Sequence, residues 1–132
     1  MALGPNGAVT GCVWLALPRA HARLARMSFA TLASLPPKNI IAGATGRYVH
    51  TEKMTLGEVE LAAGFVVPMH SHPHDQFSYL LAGHVEFTVG SETRVMEAGA
   101  CAVIPGGTLH GCRALTACRI LDTFAPMRED YR

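Results

Sequence analysis

The chain has 132 residues, enough for one domain and too few for two comfortable ones. Hydrophobic residues make up 49% and charged ones 16%, so the chain can bury a core and is not disordered as its main state. A net charge of +1 gives no overall pull towards nucleic acid or anionic membrane, and no apolar stretch approaches the roughly 20 residues of a membrane span.

Residues 1–39 read as an appendage. Their apolar run, Gly7 to Pro18, precedes Arg19, Arg23 and Arg26, the reverse of the order in a secretory signal. An acid-free segment with arginines at helical spacing also fits an organellar transit peptide. A loose tail, or a start at Met27, is the preferred alternative. Leu35-Pro36-Pro37 reads as a stiff linker. Residues 1–51 carry no acid, whereas all ten acids fall in 52–132. The cysteines (Cys12, Cys101, Cys112, Cys118) form no C-x-x-C pair, and free, buried thiols in a reducing cytoplasm are expected.

Residues 40–132 read as the domain, built from short alternating segments. The stretch 47–62 has the character of a hairpin. Segments 76–81 and 84–89 read as strands flanking a tight turn at Ala82-Gly83. In the second, Val85, Phe87 and Val89 alternate with His84, Glu86 and Thr88, giving one buried and one wetter face. ETRVMEA, CAVI and LHGCR follow, separated by Gly-containing turns such as Pro105-Gly106-Gly107, and ACRILDTF finishes the set. Seven or more short strands without a long helical pattern predict an all-β sandwich or barrel.

Four of the seven histidines fall in two short segments, Gly64-FVVPMHSHPHDQFSYLLA-Gly83 and Gly99-ACAVIPGGTL-His110. His70 and His72 at i, i+2 on a strand project from one face and can converge on one ion. Gln76 can add an amide oxygen, and His110 can add an imidazole from a distant strand. Three neutral imidazoles plus an oxygen suit a divalent transition metal: Zn, Ni, Mn and Fe all accept the set. His74 and Asp75 lie in the adjoining turn, where Asp75 fits a turn role and His74 stays open. His21, His50 and His84 read as surface residues.

In the last strand Cys118, Ile120, Asp122 and Phe124 share a face. Asp122 is a carboxylate among apolar neighbours, which requires a partner or a role. Facing the same interior as a metal, it suits a general acid/base. Arg128, beyond Pro126, can bind a substrate carboxylate bidentately. A structural ion pair between Asp122 and Arg128, or contacts to loop amides, is an equal alternative.

The two histidine segments resemble the two motifs of the cupin superfamily. Gly64, His70, His72 and Gly83 match the first, with Gln76 in its Glu position. Gly99, Pro105, Gly107 and His110 match the second, with Ala114 in its Asn position. The resemblance implies a cupin double-stranded β-helix, a single-domain jelly-roll barrel, with a metal held by His70, His72, Gln76 and His110. Gln76 for Glu leaves the site one unit more positive, which strengthens its pull on an anion.

HSHPHDQ, P-G-G-x-x-H and DTFAPMREDY are together similar to the KdgF-type small cupins of pectin and alginate breakdown, with one residue fewer between His72 and Gln76. That resemblance implies conversion of a 4,5-unsaturated uronate to its linear keto form. Asp122 would shuttle the proton, Arg128 hold the carboxylate and Phe124 pack on the sugar face. The competing expectations are a metal-dependent oxygenase, a hydroxynitrile-lyase-like cupin and a non-catalytic binder of small ligands. The expected partner besides a carboxylate-bearing small molecule is a second copy of the chain, paired through the sheets or by exchange within residues 28–50; a monomer is the alternative.

Overall fold

The computed structural model describes residues 28–132. The expectations for Cys12, His21 and a start at Met27 lie outside them. 3₁₀ turns at Leu32–Ser34 and Glu129–Tyr131 flank ten strands: β1 Lys38–Ile41, β2 Ala44–His50, β3 Thr55–Leu61, β4 Val66–His70, β5 Asp75–Ala82, β6 His84–Val89, β7 Glu92–Glu97, β8 Cys101–Ile104, β9 His110–Ala114 and β10 Cys118–Ala125. They form two antiparallel sheets, β1-β2-β3-β10-β5-β8 and β4-β9-β6-β7. The molecule is the expected single-domain jelly-roll sandwich. No helix among the described residues is long and apolar enough to cross a membrane.

Period-two burial explains the layering. Leu80, Val85, Ile104, Ala114 and Ile120 are buried between the sheets. β2 and β3 form the hairpin expected at 47–62, with Tyr48 opposite Gly57. The Ala82-Gly83 turn differs from its expectation. β5 and β6 are consecutive but belong to different sheets, so the turn carries the chain across the sandwich. Gly83 has φ +91°, and a side chain there would collide with the Ala117 carbonyl oxygen, so only glycine fits this corner.

The register of the larger sheet sets inward-facing rows across the strands. Tyr48 pairs with Gly57, Gly57 with Asp122, and Asp122 with Ser78. The row beside it runs His50, Thr55, Phe124 and Gln76. On the facing sheet β4 carries one extra residue: Val67 pairs with Cys112 but His70 with His110. The bulge contains Pro68, which has no N–H to offer a ladder. Gly111 accommodates it, since a Cβ there would lie 2.8 Å from the Val67 carbonyl oxygen.

Candidate metal centre

The bulge places His70 and His110 side by side, with ring centroids 4.3 Å apart. His72 lies just beyond the end of β4 rather than on it. Its position comes from the two motif turns packing on each other. The Gly107 N–H donates to the His72 carbonyl oxygen at 2.7 Å. The Gly106 N–H donates to the Asp75 carboxylate at 2.8 Å, which gives Asp75 a turn-tying role. Any side chain at Gly106 would strike the Pro73 carbonyl oxygen.

The ligand atoms of His70, His72 and His110 all lie within 4.8 Å of one another. Each Nδ1 faces a backbone carbonyl: Pro68 for His70 at 2.8 Å, His74 for His72 at 3.1 Å and Thr108 for His110 at 2.8 Å. A neutral imidazole in that setting keeps its proton on Nδ1 and turns the Nε2 lone pair inward. Burial lowers the pKa of His72 and His110, which favours that neutral form. His110 Nε2 is buried without a hydrogen-bond partner.

Gln76 fits the same set. Its Nε2 donates to Ser78 Oγ at 2.8 Å and to Asp122 at 3.3 Å, which fixes its Oε1 towards His72 Nε2, 2.9 Å away. Two lone-pair atoms thus face each other, an arrangement that a shared cation satisfies. A metal therefore fits these residues, and three histidines can hold one.

Asp122 stands on the opposite sheet. Ser78 Oγ donates to its carboxylate at 2.5 Å. Burial pushes its pKa up to about 6, against the opposing pull of Ser78, Gln76 and the Arg128 charge. His70, His72, Gln76, Ser78, His110, Asp122 and Phe124 line one cavity with Tyr48, Cys112 and Tyr131.

Phe124 is buried, with its ring edge-on to His72 at 5.7 Å and to Tyr131 at 5.5 Å. Arg128 does not pair with Asp122. Its Nε and Nη2 donate to Asp130 at 2.9 and 2.6 Å, and its guanidinium lies 4.0 Å from the Tyr131 ring centroid and 5.1 Å from that of Phe124. Only Nη1 is buried without a partner, so one edge of the fork is already taken by a carboxylate. His74 stacks edge-on against His72 at 5.5 Å and is not part of the cavity wall.

Other expectations shift. His50 is half-buried and bonded to Thr55 Oγ1 at 2.9 Å rather than simply exposed, whereas His84 is exposed. Cys112 and Cys118 are buried, but Cys101 is exposed. Ser78, Tyr48, Tyr131 and Asp130 were not among the residues singled out from the sequence. Ser78 had a signal: it shares a strand face with Gln76, two residues away.

Residues 57–124 match the family model described as Cupin domain. The chain is 33% identical over 75 residues to the pectin degradation protein KdgF of Dickeya dadantii (strain 3937), covering 55% of this chain and 68% of that protein. Its structure is similar to KdgF from Halomonas sp., with TM-score 0.75 and 30% identity over 80% of this chain and 98% of that one. An RmlC-like cupin from Shewanella frigidimarina NCIMB 400 shares the fold, with TM-score 0.75 and 24% identity over 80% of this chain and 96% of that one.

Proposed function

The chain belongs to the cupin family as a KdgF-like member, and from that premise we propose that it is a metal-dependent enzyme that opens the ring of a 4,5-unsaturated uronate to the linear keto form. The similar proteins include one named for pectin degradation, which supports a substrate of this class. The observation that carries the reading is the coupling of Asp122, through Gln76 and Ser78, to a convergent three-histidine cluster in one small cavity.

His70, His72, His110 and Gln76 would hold the metal. When bound, it supplies Lewis-acid polarisation of a substrate oxygen. A neutral Gln76 leaves that site more positive than a glutamate would, which favours an anionic substrate. Asp122 accepts the anomeric hydroxyl proton as the ring C–O bond breaks and an aldehyde forms. The bond electrons pass to the ring oxygen, which becomes an enolate oxygen. Asp122 then returns the proton to C4 as the enolate becomes a ketone, so protons and electrons balance within the substrate. Ser78 holds the carboxylate in place. Arg128 is not part of the cavity wall but packs against its lining residues Phe124 and Tyr131; its Nη1 would reach the substrate carboxylate from there, with Asp130 and the Tyr131 ring keeping the guanidinium in position. Phe124 packs on the sugar and orients His72.

Residues 40–132 would be the functional unit and 1–39 an appended segment, since every residue given a role lies between His70 and Tyr131. We also read the protein as a homodimer joined through the outer face of the six-stranded sheet. There Phe77 and Val103, exposed by 53% and 61%, are direct cross-strand partners beside Tyr79, forming an apolar patch. Light scattering tests this.

Elemental analysis of purified protein, followed by an assay of unsaturated galacturonate, tests the function. A bound divalent ion and accelerated loss of ultraviolet absorbance are expected. Turnover at the rate of buffer alone would overturn the substrate.

A further inference from the structure

The cavity wall contributed by β2 holds a tyrosine that none of the roles above uses. Tyr48 lies flat along the inner face of the larger sheet. A Cβ at Gly57, its cross-strand partner, would lie 2.3 Å from the Tyr48 ring. A Cβ at Gly46 would fall 2.1 Å from the Tyr48 hydroxyl oxygen. Neither glycine has a positive φ, so neither is required by its backbone. Both leave room for the ring. Glycine weakens a strand interior, and two of them cleared for one ring amount to a built cradle.

The cradle fixes where the phenol sits. Tyr131 closes one side of the ring, with centroids 4.8 Å apart. Tyr48 lines the cavity that holds the histidine cluster and Asp122, and it stands on the sheet facing His70 and His110. It shares a cross-strand row with Asp122, separated only by Gly57, which has no side chain. No group among the described residues hydrogen-bonds its hydroxyl, and Ala44, Val59 and Leu61 line the same cavity. Burial, with Tyr131 and Asp122 nearby, raises its pKa, so the phenol stays a neutral donor. A hydroxyl that opens on a substrate cavity and has no protein partner is free to donate to an acceptor on the substrate.

We propose that Tyr48 is a substrate-contacting specificity residue, its hydroxyl donating a hydrogen bond to a sugar oxygen at the β2 wall of the cavity. The inference rests on the uronate reading above. It distinguishes a polyhydroxylated substrate, which offers an acceptor there, from an apolar carboxylate, which does not.

The test is steady-state kinetics of metal-loaded Tyr48→Phe and Gly46→Ala on unsaturated galacturonate, alongside wild type. Tyr48→Phe keeps the ring in its cradle and removes one neutral hydrogen bond. KM is expected to rise about 3- to 10-fold with kcat within about 2-fold. Gly46→Ala pushes the ring aside with its hydroxyl intact, and the same rise in KM is expected. Melting temperature and metal content should stay close to wild type in Tyr48→Phe. A Tyr48→Phe enzyme with wild-type KM would overturn the inference while leaving the uronate reading standing. Absence of turnover by wild type would overturn that reading first, and the inference with it.

Discussion

Ser78 Oγ and the Asp122 carboxylate face each other as cross-strand partners on β5 and β10, joined by a 2.5 Å hydrogen bond. Gln76, two residues along β5, donates to the same carboxylate at 3.3 Å. The proposed metal ligand Gln76 and the proposed proton carrier Asp122 are therefore tied together along the β5 face. Asp122→Asn should abolish turnover, by about 10²- to 10⁴-fold, while metal content stays at the wild-type level. Ser78→Ala should lower kcat by a smaller factor, since it frees the carboxylate without removing it. Loss of metal in Asp122→Asn would instead make Asp122 part of the ligand shell.

Gln76→Glu tests the charge of the site. A glutamate keeps a coordinating oxygen but loses the Nε2 donor to Ser78 and Asp122 and places two acids together. Metal content should be retained, whereas KM for the uronate should rise about tenfold or more, about 1.4 kcal/mol. An unchanged KM would remove the electrostatic account of why glutamine stands there.

The fold was largely legible because burial alternates along single strands, as in Val85, Phe87 and Val89, and that pattern needs no knowledge of partners. Pairing is another matter. Ala82-Gly83 looks locally like a hairpin turn, yet β5 and β6 belong to opposite sheets, which only distant strands decide. The histidine spacing was legible for the same local reason. Its actual geometry depends on a bulge at Pro68 and on the docking of the Pro73 turn against the Pro105-Gly106-Gly107 turn, so His72 lies off the strand that spacing alone assigns it to. Tyr48 and Gly57 are invisible as a pair until register brings them face to face. Arg128 found its carboxylate two residues away, at Asp130, rather than across the barrel.

The bulge gives a stability prediction. Gly111→Ala puts a methyl against the Val67 carbonyl oxygen at 2.8 Å and the Met69 N–H nitrogen at 3.1 Å, both main-chain atoms that cannot swing aside. It should cost about 1–3 kcal/mol and lower Tm by several degrees. Since His70 and His110 flank this contact, metal affinity should fall too. A variant with wild-type Tm would mean that the strand relaxes freely there.

Arg128 and Asp130 give a pH prediction. The hydrogen bonds from Arg128 hold the Asp130 pKa below the ordinary aspartate value. A native pKa lower than the unfolded one contributes stability that is present above the unfolded value and is lost as pH falls through the native one. The Tm difference between wild type and Asp130→Asn should therefore be largest near neutral pH and close in acid. A gap that stays constant from neutral pH into acid would contradict the pairing.

The most direct measurement is the decay of ultraviolet absorbance of unsaturated galacturonate with wild type and Asp122→Asn at matched metal content. Metal-dependent decay faster than buffer for wild type, and decay near the buffer rate for Asp122→Asn, is the predicted result. Equal decay for the two proteins, or no acceleration by metal-loaded wild type, would contradict the account.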